Sequence, residues 1–351
     1  MNFKETFLKL TEYTTPFRTE SDLEPLLSSM ISDLKKDPIG NYHKILGDSE
    51  TLFTCHLDNF CKEKQKVNHV IENNIIRTDE TTILGADNKA GVCVLLYLIS
   101  NNVPGHYCFF VGEEPIISGG CFGSSLFSQA FKSITKFKRA IAFDRKETSS
   151  IVTRQMAQDC CSPEFADELV KCFIENMIWA ESDPTGYYTD TSSFMELISE
   201  CTNISVGVWN EHTKQEYVDI EYAERVAIAA SKINWETLPS IREPKYWLEV
   251  EEDINEAPAS EIDEKLFNVL SKALSSLNFI CMNKKPFNSN RKMIFNHWFK
   301  DLRLEVTAKN GYLRIFNYDI NVDFHDREPI YRNDLVEILS CIKEDMLEME
   351  D

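Results

Sequence analysis

Apolar positions follow two rhythms along the chain. Near the N-terminus they recur at helical spacing: Phe3, Phe7, Leu8 and Leu10 predict an amphipathic helix over 3–13. Ser21 with Glu24 three residues on forms a capping pair ahead of Leu26, Leu27, Met30, Ile31 and Leu34. That predicts a second helix reaching about Lys36. Short continuous apolar runs then take over. TLFTCHL (51–57), YCFFV (107–111), AIAF (140–143) and ISVGV (204–208) have the length and residue types of buried strands. The segment 67–76 predicts a hairpin-like excursion, and GVCVLLYLI (91–99), apolar all round, predicts a helix buried between layers. Helix-like stretches return over 124–132, 163–175, 192–198 and 222–235. Strands that alternate with helices predict an α/β fold: a three-layer α/β/α domain around a mixed, largely parallel sheet.

The pattern changes over 238–258, where prolines meet the acids Glu249, Glu251, Glu252, Asp253 and Glu256. A linker is expected there. It separates a domain over 1–244 from a small α+β C-terminal domain over 259–351, whose role the sequence does not state. The second domain is expected to hold a helix over 261–274, strands over 302–307 and 312–318 around Asn310-Gly311, and a closing helix over 333–347. Asn-Gly between apolar runs is a strong hairpin signal. Lys284 to Arg314 holds eight basic and two acidic residues. This stretch reads either as a solvated face or as a dock for an anionic partner.

Composition narrows the classes of function. The 351 residues carry a net charge of −20, from 37 basic and 57 acidic side chains. Such a chain repels phosphate backbones and anionic lipid, so neither nucleic acid nor a membrane is expected as a partner. No apolar run reaches the length of a membrane span, and the N-terminal segment lacks the uninterrupted apolar stretch of an export signal. Eleven cysteines, many inside apolar runs, point to reduced thiols and a cytoplasmic location. No C-x-x-C pair offers a thiolate zinc site.

Five polar clusters each follow an apolar run, where an α/β sheet displays functional groups at the carboxyl ends of its strands. They are His56-Leu57-Asp58, Asp87 within GADNKAG, Glu113-Glu114, Asp144 and His212. Each alone is unspecific: an Asp after a strand commonly caps a helix, and a Glu-Glu pair is commonly a solvated face. Together they supply imidazoles and carboxylates of the kind that holds a pair of divalent cations.

In order and spacing these segments resemble the co-catalytic zinc exopeptidases, the superfamily of bacterial zinc aminopeptidases, peptidase T and the glutamate carboxypeptidases. TCHLDNF, LGADNKAG, FVGEEPIISGGCFGS, AIAFDR and ISVGVWNEHTKQEYVDI carry the likeness, over roughly residues 50–235. The resemblance implies two divalent cations, zinc first and cobalt or manganese as substitutes. His56, Asp87 and Asp144 would hold one; Asp87, Glu114 and His212 would hold the other, with Asp87 shared. It implies Asp58 as the hydrogen-bond partner that fixes His56, and Glu113 as the general base. The expected activity is that of an aminopeptidase acting on a small peptide. An amidohydrolase acting on N-acyl amino acids and an inactive scaffold are the alternatives. Arg145 is expected either to grip a substrate carboxylate or to pair with a local acid. Asp190 lies where the family carries an Asp beside the site, and reads more simply as the N-cap of the helix expected from Ser192. The segment PIISGGCFGS is longer than the family's spacing, and only 67 residues separate Asp144 from His212, too few for an inserted lid domain. Oligomeric state is not readable.

Overall fold

The protein is described from a computed structural model. The description covers residues 1–114, 120–130, 136–155 and 157–244, and five strands between 279 and 323. The chain divides into two compact units, Met1–Glu251 and Glu252–Asp351.

The first unit runs α1 (Phe3–Leu10), α2 (Glu24–Met30), β1 (Lys35–Lys36), β2 (Tyr42–Leu46), β3 (Thr51–His56), β4 (His69–Glu72), β5 (Ile75–Thr78), α3 (Ala86–Ser100), β6 (Gly105–Phe110), α4 (Phe122–Ala130) and β7 (Arg139–Arg145). It continues through β8 (Ser150–Val152), β9 (Arg154–Gln155), β10 (Gln158–Asp159), α5 (Pro163–Glu175), β11 (Glu181–Asp183), β12 (Glu200–Ser205), β13 (Val208–Trp209), β14 (Tyr217–Asp219) and α6 (Ile220–Ala230). The second unit contributes β15 (Phe279–Cys281), β16 (Arg291–His297), β17 (Arg303–Lys309), β18 (Tyr312–Ile315) and β19 (Ile320–Asp323), which pair antiparallel in chain order. Lys309 faces Tyr312 across the Asn310-Gly311 step.

The main sheet has the order β1-β2-β6-β3-β7-β12-β8-β11. Its centre, β6-β3-β7-β12, is parallel. β3 is buried at every position because a strand flanks it on each side and helices cover the sheet. Right-handed crossovers dictate where those helices lie. From β3 the chain steps one way to β6 through α3. From β6 and then β7 it steps the opposite way through α4 and α5. So α3 packs on one face and α4 and α5 on the other, which makes the three layers of the α/β/α fold. α3 is apolar all round because it lies between β3 and β7 below and α1 and α6 beside it. α5 buries only Phe165, Ala166, Leu169 and Phe173, one stripe at helical spacing, and Ser162 caps it by accepting the Phe165 N–H at 3.2 Å. In the core, Phe53 stacks on Tyr107 and meets Trp235 edge-on, both at 5.1 Å between centroids. Truncating such a ring to alanine costs roughly 3–5 kcal/mol.

A second sheet, β13-β14-β5-β4, is antiparallel. The hairpin expected over 67–76 supplies β4 and β5.

Three elements depart from the sequence pattern. The helix expected to reach Lys36 is a 3₁₀ turn at Glu20–Leu23 followed by α2, which stops at Met30. Ile31 is already extended and buried, Asp33 turns at φ 56°, and Lys35–Lys36 pair with β2 as an edge strand. The helix expected over 192–198 is a 3₁₀ turn, Asp190–Phe194. The strand expected over 204–208 begins earlier, at Glu200, and ends before Gly207 (φ 72°). A fully buried glutamate opens it because its carboxylate accepts the Ser162 N–H at 2.6 Å and the Ile241 N–H at 2.7 Å. The helices expected over 261–274 and 333–347, and residues 245–258 of the linker, lie outside the described residues. So do parts of the basic stretch from Lys284 to Arg314, and no side chain of that stretch is described. Among the described residues no helix is long and apolar enough to cross a membrane. Cys55, Cys93, Cys108 and Cys172 are free thiols.

Candidate metal centre

The chain leaves β3 in one direction and β7 in the other, so the sheet has its switch point between these two strands. Ligands of open α/β sheets bind at such a point, beyond the carboxyl ends. His56 ends β3 and Asp144 lies at the end of β7. The loop after β6 brings Glu113 and Glu114, a non-helical kink at the start of α3 brings Asp87 (φ −80°, ψ 107°), and the loop from β13 to β14 brings His212. A cavity of about 490 Å³ opens here, lined among others by His56, Asp87, Glu113, Asp144 and His212.

Asp87 sits at the centre of the cluster. Its Oδ1 is 3.2 Å from His56 Nε2, and its Oδ2 is 3.1 Å from His212 Nε2. His56 Nε2 is also 3.3 Å from Asp144 Oδ1, and His212 Nε2 is 2.8 Å from Glu114 Oε1. Two triads result, His56–Asp87–Asp144 and Asp87–Glu114–His212, and His56 lies against Glu113 and Glu114 as well. In each set the potential ligand atoms lie within 4.8 Å of one another. The six residues assigned to the centre from sequence as ligands or base therefore meet in one place, with Asp58 next to His56.

Asp58 is fully buried. Its two oxygens accept the backbone N–H groups of Glu113 at 2.9 Å and Glu114 at 3.0 Å. Gly112, at φ 65°, turns the chain just before this pair, a conformation that suits glycine. Asp58 thus pins the peptide from which both glutamates depart. His56 Nδ1 lies 3.2 Å from the Asp58 carbonyl and 3.5 Å from its Oδ1. A proton held at Nδ1 leaves the Nε2 lone pair facing Asp87 and Asp144. His212 adopts φ 65° and stacks on Phe60, with ring centroids 4.6 Å apart.

The electrostatics describe a site with excess negative charge. Burial pushes the Glu113 carboxyl well above its ordinary range; His56 opposes the shift, and Glu114 and Asp144 add to it. Burial, with Asp87 nearby, raises Glu114 to about 7, and burial raises Asp144 to about 6. Asp87 moves the other way: burial opposes ionisation, but the hydrogen bonds of His212 and His56 outweigh it and hold the carboxylate down. Asp144 Oδ1 is buried and receives no well-directed hydrogen bond. Across the two triads, three carboxylates and two imidazoles, with no thiolate among them, form a donor set that suits divalent cations such as zinc, manganese or cobalt. The residues present fit such a pair.

Arg145 lines the cavity, but its Nη2 lies 3.0 Å from Asp183 Oδ2 and 3.0 Å from Thr185 Oγ1. The local-acid partner foreseen for it is therefore Asp183. Lys146, beside it, pairs with Glu211 at 2.8 Å. Asp190 is 2% exposed and is the first residue of a 3₁₀ turn whose N-cap position is Thr189, and its Oδ1 is buried without a hydrogen-bond partner. Its neighbour Thr189 donates to Asp144 Oδ2 at 2.6 Å.

Sequence reasoning missed three supports. Asn203 Oδ1 accepts the Asp144 N–H at 2.8 Å, Asn59 Nδ2 donates to the Asp87 carbonyl at 2.7 Å, and Glu216 accepts the Asp87 N–H at 2.9 Å. Asn203 and Asn59 flank the predicted strands over 204–208 and 51–57, but their partners are backbone groups, and Glu216 lies beside no predicted buried run. The peptide bond between Asp87 and Asn88 is cis.

No family model matches the chain, and no curated protein matches it by sequence. Solved structures do match in shape. An aminopeptidase PepT from Bacillus cereus matches over 65% of this chain and 96% of its own, at 14% identity and a TM-score of 0.55. A tripeptidase from Staphylococcus aureus matches over 65% and 96%, at 16% identity and 0.51. A TET aminopeptidase from a marine sediment archaeon, Thaumarchaeota archaeon SCGC AB-539-E09, matches over 68% and 99%, at 11% identity and 0.51. At these identities the likeness concerns the fold, and the chain has the α/β fold of the aminopeptidases and tripeptidases that its sequence motifs resemble.

Proposed function

We propose that the protein is a two-metal hydrolase, an exopeptidase that removes the N-terminal residue of a small peptide. The observation that carries this reading is the placement of Asp87, with one oxygen toward each imidazole. His56, Asp87 and Asp144 would hold one divalent cation, and Asp87, Glu114 and His212 the other. Bound there, such a pair supplies Lewis acidity that polarises a scissile carbonyl and lowers the pKa of water.

The remaining work falls to the chain's own groups. Glu113 would take the proton of the attacking water at a carboxylate oxygen and pass it to the leaving amine. Asp58 would keep Glu113 and Glu114 facing their separate tasks through the two N–H bonds it accepts. The sense of attack follows from charge. Arg145 and Lys146, the basic side chains among the described lining residues, are both paired with acids. A free ammonium group is therefore better received in this cavity than a free carboxylate.

The experiment is a panel of aminoacyl-fluorophores, C-terminally free dipeptides and N-acyl amino acids, run with zinc, manganese or cobalt and after chelation. The reading expects cleavage of free-amine substrates that stops on chelation and returns with metal. Turnover confined to N-acyl amino acids would make the protein an amidohydrolase. Absence of both metal uptake and turnover would make it a scaffold.

A further inference from the structure

Glu216 lies four residues beyond His212, in the loop from β13 to β14, and is 1% exposed. Both of its oxygens are engaged. Oε2 accepts the Gly85 N–H at 2.7 Å, and Oε1 accepts the Asp87 N–H at 2.9 Å. Asn59 holds Asp87 from the other side, donating to its carbonyl at 2.7 Å, and Asn59 is itself fixed by accepting the Thr15 N–H at 3.0 Å. The backbone donor and the backbone acceptor of Asp87 therefore both end on side chains of other loops. One is the loop that follows His56. The other carries His212.

That second loop needs a tie. His212 and Asn210 both adopt left-handed backbone, at φ 65° and 56°, a conformation uncommon outside glycine that Asn and His tolerate better than most residues. Two N–H groups converging on one side chain require two acceptors and no donor. A carboxylate meets that requirement and an amide of the same shape does not. A buried carboxylate is also costly to desolvate, so an apolar side chain would fill this space with less penalty.

We propose that Glu216 is a positioning residue: it locks the loop bearing His212 to the backbone of Asp87 and so sets the spacing between that imidazole and the shared carboxylate. The proposal rests on the two-metal reading above.

Cobalt(II) titration followed by visible absorption tests it, on the whole protein and on Glu216→Gln and Glu216→Asp. Gln keeps the shape but offers one acceptor; Asp keeps two acceptors on a shorter stem. A brace predicts that Gln loses about ten- to hundredfold in cobalt affinity and changes its spectrum, as removal of an outer partner of metal ligands does, and that Asp recovers part of the loss. A space-filling role predicts the reverse order, with Gln equal to the parent and Asp worse, and that order overturns the proposal. Two equivalents in the parent with an unchanged Gln variant also overturns it, and leaves the two-metal reading standing. A parent protein that takes up no cobalt overturns the two-metal reading itself. Thermal melting of the cobalt-free proteins runs alongside. If Gln does not fold, Asp carries the test: weaker cobalt binding with unchanged cobalt-free melting supports the brace, and unchanged binding with lower melting overturns it.

Discussion

Replacing Lys89 by Met perturbs a charge buried beneath the cluster. Lys89 follows Asp87 by two residues and is 0% exposed. Its ammonium donates to the Leu57 carbonyl and lies 3.4 Å from Asn59 Oδ1. Burial lowers its pKa from 10.5 to about 8, against the pull of Asp58 and Glu20 toward the charged form. At 1.36 kcal/mol per pH unit, that displacement corresponds to about 3 kcal/mol. The sign follows from proton counting. Between pH 8 and 10.5 the unfolded chain holds a proton on this amine that the folded chain has released, so folded stability rises with pH across the window. Met has no such proton. Urea unfolding of the parent and Lys89→Met, in chelator so that metal binding adds no pH dependence, should show a stability gap that shifts in the parent's favour by about 2 kcal/mol from pH 8 to 9.5. Other lysines, tyrosines and thiols cancel in the difference. A gap constant within about 0.5 kcal/mol would refute the claim that this amine is desolvated.

Three further outcomes are expected. Glu113→Gln should lower kcat by about 10²- to 10⁴-fold while metal content, read by elemental analysis, stays at the parent's level; near-normal turnover would remove Glu113 from the base role. Asp87→Ala should lose both cations together, and one ion retained with parental affinity would contradict the shared carboxylate. Asp37 accepts the N–H groups of Ile39, Gly40 and Asn41 and the ring of His43 at 2.8–2.9 Å. Burial raises its pKa, but these bonds outweigh that and leave it lowered, so its contribution is present above the ordinary aspartate range and fades as pH falls through the folded value. Asp37→Asn should cost about 1–3 kcal/mol at neutral pH, less at pH 3, and leave metal uptake unchanged, read by urea unfolding and metal analysis.

The parts legible in the sequence were those governed by burial on both sides. TLFTCHL, YCFFV and AIAF are central parallel strands, so their apolar runs announce them, and the polar residue that ends each run stands out against it. His56, Glu113 and Asp144 came from that contrast. The two-residue edge strand at Lys35–Lys36 could not, because an edge strand is held by backbone bonds that any side chain permits. Glu200 hid the start of β12, since a buried acid satisfied by N–H donors looks like a surface acid until those donors are located. Glu216 and Asn59 escaped for the same reason. Their partners are backbone groups of segments 26 to 131 residues away, and backbone groups leave no mark in a sequence.

The switch point between β3 and β7 also governs when the cavity comes into being. His56 is made early, but the ring that faces it across Asp87 belongs to a loop beyond β13, and that loop is tied down by β14. A nascent chain still attached to its ribosome carries most of these side chains yet cannot assemble the pocket until the segment past residue 219 has emerged. On the two-metal reading proposed above, cation uptake waits for the completion of this unit.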